Sequence, residues 1–172
     1  MTSTHLVVMG VAGCGKSTIA QGLRDRLGWP LAEGDDLHPA ANIAKMSSGT
    51  PLTDEDRWPW LDAIANWTAA EDAAGRSTIV TCSALRRVYR DRLRQAPGRT
   101  VFVHLVGSPE LLAERLATRP GHFMPPSLLP SQLATLEQLE PDEEGIVLGI
   151  DQAADLIVQR ATDQLDLNPT NV

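Results

Sequence analysis

Residues 6–18, "LVVMGVAGCGKST", constrain the fold of this chain more than any other stretch. Gly10, Gly15, Lys16 and Ser17 satisfy the spacing G-x-x-x-x-G-K-[ST], after an apolar run and at the head of a helical one. Glycines let successive backbone N–H groups turn toward one point, and the helix N-terminus adds partial positive charge there. The product is a cradle for a triphosphate. The amides of Ala12, Gly13, Cys14, Gly15, Lys16, Ser17 and Thr18 surround it, the Lys16 ammonium reaches the β- and γ-phosphates, and the Ser17 hydroxyl faces Mg²⁺. Such a loop joins a buried parallel strand to its crossover helix, so the chain is committed to an α/β sheet.

The rest of the sequence agrees. Apolar runs recur at "HLVVMG" (5–10), "STIVTC" (77–82), "TVFVHLVG" (100–107) and "GIVLGI" (145–150), with a weaker one at "WPLAEG" (29–34). Near-continuous apolar strands are buried on both faces, as in a parallel sheet covered by helices. The segments between them predict helices over 17–27, stopped by Gly28, and 57–74, with Pro59 in the first turn. Further helices are predicted over 86–95, over 109–119 with Ser108 as cap, and over 153–165. At 172 residues the chain makes one domain, 1–172. Two stretches interrupt the alternation: a substrate-side insertion at 38–57, and a Pro-rich candidate lid, "RPGHFMPPSLLP", at 119–130.

Charge and cysteine usage narrow the partners. A net charge of −7 argues against a nucleic-acid backbone, which is bound by clustered cations. No apolar run approaches the roughly 20 residues of a membrane span. Cys14 and Cys82 lack metal-ligand spacing and no signal peptide opens the sequence, so a cytoplasmic setting is expected.

Many kinds of protein use a phosphate cradle. A guanine-reading Asn-Lys-x-Asp is absent, and "STIVTCSAL" ends its strand without the carboxylate of an ATPase motor. The acidic pair Asp35-Asp36 follows the weaker strand instead, so one of the two is expected to place Mg²⁺ or to take a proton from a substrate hydroxyl. That pattern belongs to small-molecule kinases. Arg115 and Arg119, four apart and without a carboxylate at helical spacing, are candidates for clamping the transferred phosphoryl group. Arg86 stands in the first turn of a helix, against the positive end of its dipole, with only Arg90 four residues on. An acidic substrate would resolve that conflict. His38, Lys45, Arg57 and His122 lie in the two irregular stretches and are candidates for the same anion.

"GVAGCGKST", "EGDDLHPAANIAKMSSGTPLTDEDRWPWL", "TCSALRRVYRDRLR" and "RPGHFMPPSLLPSQLATLE" together resemble the gluconokinase family over about residues 6–165. The resemblance implies ATP-dependent phosphorylation of D-gluconate at its 6-hydroxyl, with Mg²⁺. It also implies the fold of nucleoside-monophosphate and shikimate kinases, with a five-stranded parallel sheet in the order 2-3-1-4-5 and a lid. It favours Asp35 over Asp36 as the base, and it implies a homodimer. Gln152, in the loop after the last strand, is then expected to bound the adenine. The alternatives are a kinase for another small acid or for a nucleoside monophosphate, or a regulatory module that uses ATP only to change shape.

Overall fold

The computed structural model describes residues 2–118 and 129–169. Five strands, β1 (Thr4–Met9), β2 (Leu31–Glu33), β3 (Thr78–Thr81), β4 (Arg99–Val106) and β5 (Gly145–Gly149), form one sheet. All neighbouring pairs are parallel and the order is β2-β3-β1-β4-β5, as expected. The strands' composition explains their burial between two layers. Leu6 and Val8 of β1 point into one apolar layer, with Val101, Val103 and Leu105 of β4; Val7 and Met9 point into the other, with Val80 and Phe102. A strand buried on both faces has no solvent side, so only a sheet between two helical layers satisfies it.

The first layer is closed by α1 (Lys16–Leu27), α5 (Pro109–Ala117) and α7 (Ala154–Gln164), through Ile19, Leu23, Leu112, Leu116, Ile157 and Val158. The second is closed by α3 (Asp54–Ala73) and α4 (Arg87–Leu93), through Trp60, Leu61, Ile64, Tyr89 and Leu93. Fully burying a side chain of this kind contributes about 1.5–3 kcal/mol. Gly28 ends α1 in the left-handed conformation at φ 73°, and Ser108 caps α5, accepting from the Leu111 amide at 3.2 Å, with Pro109 at the first position. Among the described residues, no helix is long and apolar enough to cross a membrane.

Three local expectations need correction. The stretch 38–57 is not irregular: after a 3₁₀ turn at Gly34–Leu37 it holds α2 (Ala40–Ser47) and the start of α3. Helix α3 begins at Asp54 rather than Arg57, because Thr53 and Asp56 form a reciprocal capping box. Pro59 therefore falls in the second turn. Helix α5 ends at Ala117 rather than at residue 119, and Arg119 lies outside the described residues.

Arg90 has more structural weight than the sequence suggests. It is fully buried, and all five guanidinium N–H groups are satisfied: two go to Glu143, at 2.8 and 3.0 Å, and three to the carbonyls of Ala84, Glu137 and Gln138. Burial pushes the Glu143 carboxyl up, but hydrogen bonds from Arg90, the Glu140 amide and Arg94 outweigh it and leave the group at about 2. The pair fastens segment 137–143 to α4. It also holds the carbonyl of Ala84, a non-glycine residue at φ 47°.

His104, on β4 beside Met9 and Val147, is 1% exposed, and neither ring nitrogen has a partner among the described residues. Burial, with Arg90 and Lys16 adding to it, lowers its pKa from 6.5 to about 4. The unfolded chain binds that proton first, so stability is full above pH 6.5 and falls as pH drops toward 4. The displacement corresponds to about 3 kcal/mol at full effect. His104→Leu is expected to match the parent in denaturant unfolding at about pH 7 and to lose clearly less stability by about pH 4.5. An unchanged acid loss would show that His104 does not carry it.

Candidate active site

The phosphate loop runs from the end of β1 to the head of α1. Gly10 takes φ 146° and Gly15 φ 90°, conformations that side chains resist. A Cβ on Gly10 would stand 2.7 Å from both Cys14 Sγ and the Leu105 carbonyl. The Gly10 amide donates to the Ser83 carbonyl at 3.3 Å, tying the loop to the end of β3. Inside the loop the Lys16 ammonium donates to the carbonyls of Gly10, at 3.0 Å, and Val11, at 3.3 Å. The Ala12 amide donates to Gln132 Oε1 at 2.7 Å, bringing α6 (Leu129–Thr135) to the loop.

On the far side of β3, β2 delivers the acids. Glu33, its last residue, accepts from Ser17 Oγ at 3.0 Å and from Thr81 Oγ1 at 2.6 Å. Glu33 is thus a third functional acid at this strand end, beyond the Asp35 and Asp36 read from the sequence. A carboxylate in the last strand position was the available signal. Gly34 follows, buried against β3: a Cβ there would lie 2.0 Å from the Thr81 carbonyl. Its amide donates to Thr81 Oγ1 at 3.1 Å and its carbonyl accepts from Trp60 Nε1 at 2.7 Å. The turn so anchored aims Asp35 into a cleft and leaves Asp36 exposed to solvent.

That cleft, of about 810 Å³, is walled on one side by Ala12, Gly13, Lys16 and Ser17 and on the other by Asp35, His38 and Arg57. His38 stacks on Trp60 with ring centroids 3.9 Å apart and planes 16° apart. Burial, then the nearby Arg57 charge, lower its pKa to about 4, so the ring is neutral at physiological pH. Arg57 Nη1 donates to the Leu52 carbonyl at 2.6 Å and to Tyr89 Oη at 3.1 Å, and the guanidinium lies over the Tyr89 ring. Its Nε and Nη2 have no protein partner among the described residues. A planar cation fixed at one corner with its remaining donors beside a cleft suits a carboxylate.

A smaller recess of about 320 Å³ lies on the other flank of the loop, lined by Cys14, Gly15, Thr18, Arg115 and Gln152. Arg115 Nη2 donates to the Ile150 carbonyl at 2.9 Å, and Gln152 Nε2 to the Gly149 carbonyl at 2.7 Å. The phosphate loop is thus the shared wall of two chambers.

Two candidates do not reach either chamber. Arg86 is not an unmatched cation: it pairs with Asp54, at 3.0 Å, and Glu137, at 3.5 Å, and lies 5.7 Å from the Tyr89 ring centroid. The conflict that suggested an acidic ligand is resolved by residues 32 and 51 positions away. Lys45 is likewise engaged, 2.7 Å from Asp56, whose carboxyl is held at about 2 by that bond and the Thr53 amide. Arg119, His122 and the lid up to residue 128 lie outside the described residues.

A family model described as an AAA domain matches residues 6–139. A gluconokinase of Gluconobacter oxydans (strain 621H) is 52% identical over 154 residues, covering 90% of this chain and 86% of that protein. The chain belongs to the gluconokinase family. Among solved structures, a gluconokinase from Sinorhizobium meliloti 1021 matches with a TM-score of 0.85 at 47% identity, over 96% of this chain and 93% of its own. An unliganded sugar kinase from Janibacter sp. HTCC2649 matches with a TM-score of 0.93 at 55% identity, over 97% and 96%. The family likeness therefore extends across both chambers of the site.

Gly34 gives this geometry a direct test. In Gly34→Ala the added methyl meets a backbone carbonyl that cannot rotate away, so the turn must lift from β3. A loss of about 1–3 kcal/mol is expected, read as a fall in melting temperature of about 2–4 °C per kcal/mol. Parental melting would show that the turn is not seated as described.

Proposed function

We propose that the protein transfers the γ-phosphoryl group of ATP to the 6-hydroxyl of D-gluconate, giving 6-phospho-D-gluconate and ADP. The observation that carries this reading is the single cleft in which Lys16 and Ser17 of the phosphate loop face Asp35, His38 and Arg57. Membership of the gluconokinase family supports it independently.

The roles follow from the chemistry. The loop amides and Lys16 hold the β- and γ-phosphates. Asp35 orients the 6-hydroxyl and takes its proton as the oxygen–phosphorus bond forms and the bond to the β-phosphate oxygen breaks. The Arg57 donors bind the carboxylate of the acid, and His38 one of its hydroxyls. Arg115 and Arg119 balance charge on the transferred group. Gln152 and the recess beside Thr18 take the adenine. His122 and Lys45 remain candidates for the acceptor through lid closure, and Arg86 acts at a distance, by holding Asp54.

The residues present suit Mg²⁺. Ser17 Oγ and the Glu33 carboxylate are adjacent oxygen donors, and no group of three or more His, Cys, Asp or Glu side chains able to hold a metal occurs among the described residues. A cation that draws most of its ligands from phosphate and water needs no more. Bound there, it neutralises charge building on the phosphate oxygens. Cytoplasmic action and a homodimer belong to the same proposal; the free, buried Cys14 and Cys82 support the first, and light scattering tests the second.

Positioning and charge neutralisation supply most of the rate in phosphoryl transfer, with general-base help contributing about 10² to 10⁴. Asp35→Asn is therefore expected to lower kcat by about 10² to 10⁴ while ATP affinity, measured by calorimetry, stays close to the parent. Unchanged turnover would remove Asp35 as the base. ADP release is expected with gluconate, weakly or not at all with other aldonates, shikimate and nucleoside monophosphates, and slowly with no acceptor. A response to a nucleotide alone, or equal rates without acceptor, would overturn the assignment.

A further inference from the structure

His38 is fixed at its ring face, at Nδ1 and at its main chain. Its face lies on Trp60, and its backbone amide donates to the Asp35 carbonyl at 3.3 Å. Its Nδ1 lies 3.3 Å from Asn42 Nδ2, within a residue only 3% exposed. The same Asn42 nitrogen is 2.8 Å from the main-chain carbonyl of Asp56. That second contact fixes the amide's orientation, since reversing it would set two carbonyl oxygens against each other. The atom facing His38 is therefore a donor, and Nδ1 must accept. The proton of the neutral ring then sits on Nε2, which is 3.9 Å from Asp35 Oδ1 on the cleft side.

Resting on the reading of Asp35 and the cleft given above, we propose that Asn42 is a positioning residue that sets the tautomer of His38. It makes His38 a permanent neutral Nε2–H donor to an acceptor hydroxyl adjoining the one that Asp35 deprotonates. The 3.9 Å gap is too long for a direct hydrogen bond, and it leaves the Nε2 proton and the carboxylate available to two oxygens of one polyol. A charged imidazole here would pair with Asp35 and blunt it as a base. Three features oppose that state: the Asn42 donor at Nδ1, the burial of the ring, and the positive charge of Arg57. Among the described residues, the titratable, polar and aromatic groups facing His38 are Asp35 from the 3₁₀ turn, Asn42 from α2, and Arg57 and Trp60 from α3, with Lys16 across the cleft. Asp35 is the one carboxylate in that set, and it lies on the Nε2 side.

Asn42→Asp inverts the logic at nearly constant shape. A carboxylate in that position accepts, so it draws a proton onto Nδ1 and raises the imidazole pKa toward and above its ordinary value.

The test begins with the full-length parent, its histidines labelled with ¹⁵N, and the His38 signal assigned by loss in His38→Gln. Long-range proton–nitrogen spectra at about pH 7 are expected to show Nε2 protonated and Nδ1 bare, with no titration until below about pH 5. Adding gluconate is expected to shift the Nε2–H resonance. In Asn42→Asp the KM for gluconate is expected to rise about tenfold, with the KM for ATP unchanged and a new ionisation in kcat/KM between about pH 6 and 8. A parent ring protonated on Nδ1, or charged at neutral pH, overturns the proposal. So does an Asn42→Asp enzyme with parental KM and pH profile. If the variant does not fold, the parent's tautomer and its response to acceptor still decide. The spectrum of the free protein is independent of the acceptor's identity: the expected tautomer with no shift on gluconate, but a shift on another acid in the panel, would refute gluconate and uphold the role of Asn42.

Discussion

At the C-terminal end of β3, the Thr81 hydroxyl accepts from the Gly34 amide and donates to Glu33, while its carbonyl fills the space a Cβ on Gly34 would take. Everything on the acceptor side of the cleft is set from there. Glu33 turns to Ser17, the next residue but one is Asp35, and Trp60 reaches the Gly34 carbonyl from α3 with His38 stacked on its ring. Because β2 is an edge strand of three residues, its own ladder holds it weakly. The polar contacts at its tip hold the acids in register with the phosphate loop.

The opposite flank is secured by charge rather than by strand pairing. Arg90 and Glu143 are both sealed from solvent, and Arg87 joins Asp91, Asp142 and Glu140 around them. Removing one member of such a buried pair typically costs about 3–5 kcal/mol, because the other is left charged and unmatched. The segment it retains, 137–143, leads from α6 into β5, and its Glu137 amide donates at 2.6 Å to the carbonyl of Leu85, a residue in the wall of the larger cleft.

Much of this was legible in the sequence. Strand count, the phosphate loop and the caps of α1 and α5 each depend on residues close together in the chain, whereas the sheet order came through the family resemblance, because it is set by pairings between distant strands. The acids after β2 were read in part: Asp35 through the resemblance, Glu33 not at all, because its partners Ser17 and Thr81 meet it only once β2 lies beside β3. The partners of Arg86 escape the sequence for the same reason. Helical spacing reveals only partners within one turn, and Asp54 comes from another helix. Asn42 and Trp60 carry no motif; their roles arise from a ring stack and an amide orientation that exist only in three dimensions. The capping box of Thr53 and Asp56 is local and readable in the sequence, and it starts α3 at Asp54, three residues before the expected Arg57.

The bond from the Ala12 amide to Gln132 Oε1 has a thermodynamic meaning of its own. Any phosphate oxygen that takes that amide must evict the glutamine, and Lys16 must likewise abandon the two carbonyls it now satisfies. Nucleotide binding is then a ligand-exchange reaction, one set of dipoles replaced by another, rather than the filling of an idle cradle. Its net free energy is correspondingly smaller than the sum of the new contacts. The difference is registered on α6, whose attachment to the loop is the bond being exchanged.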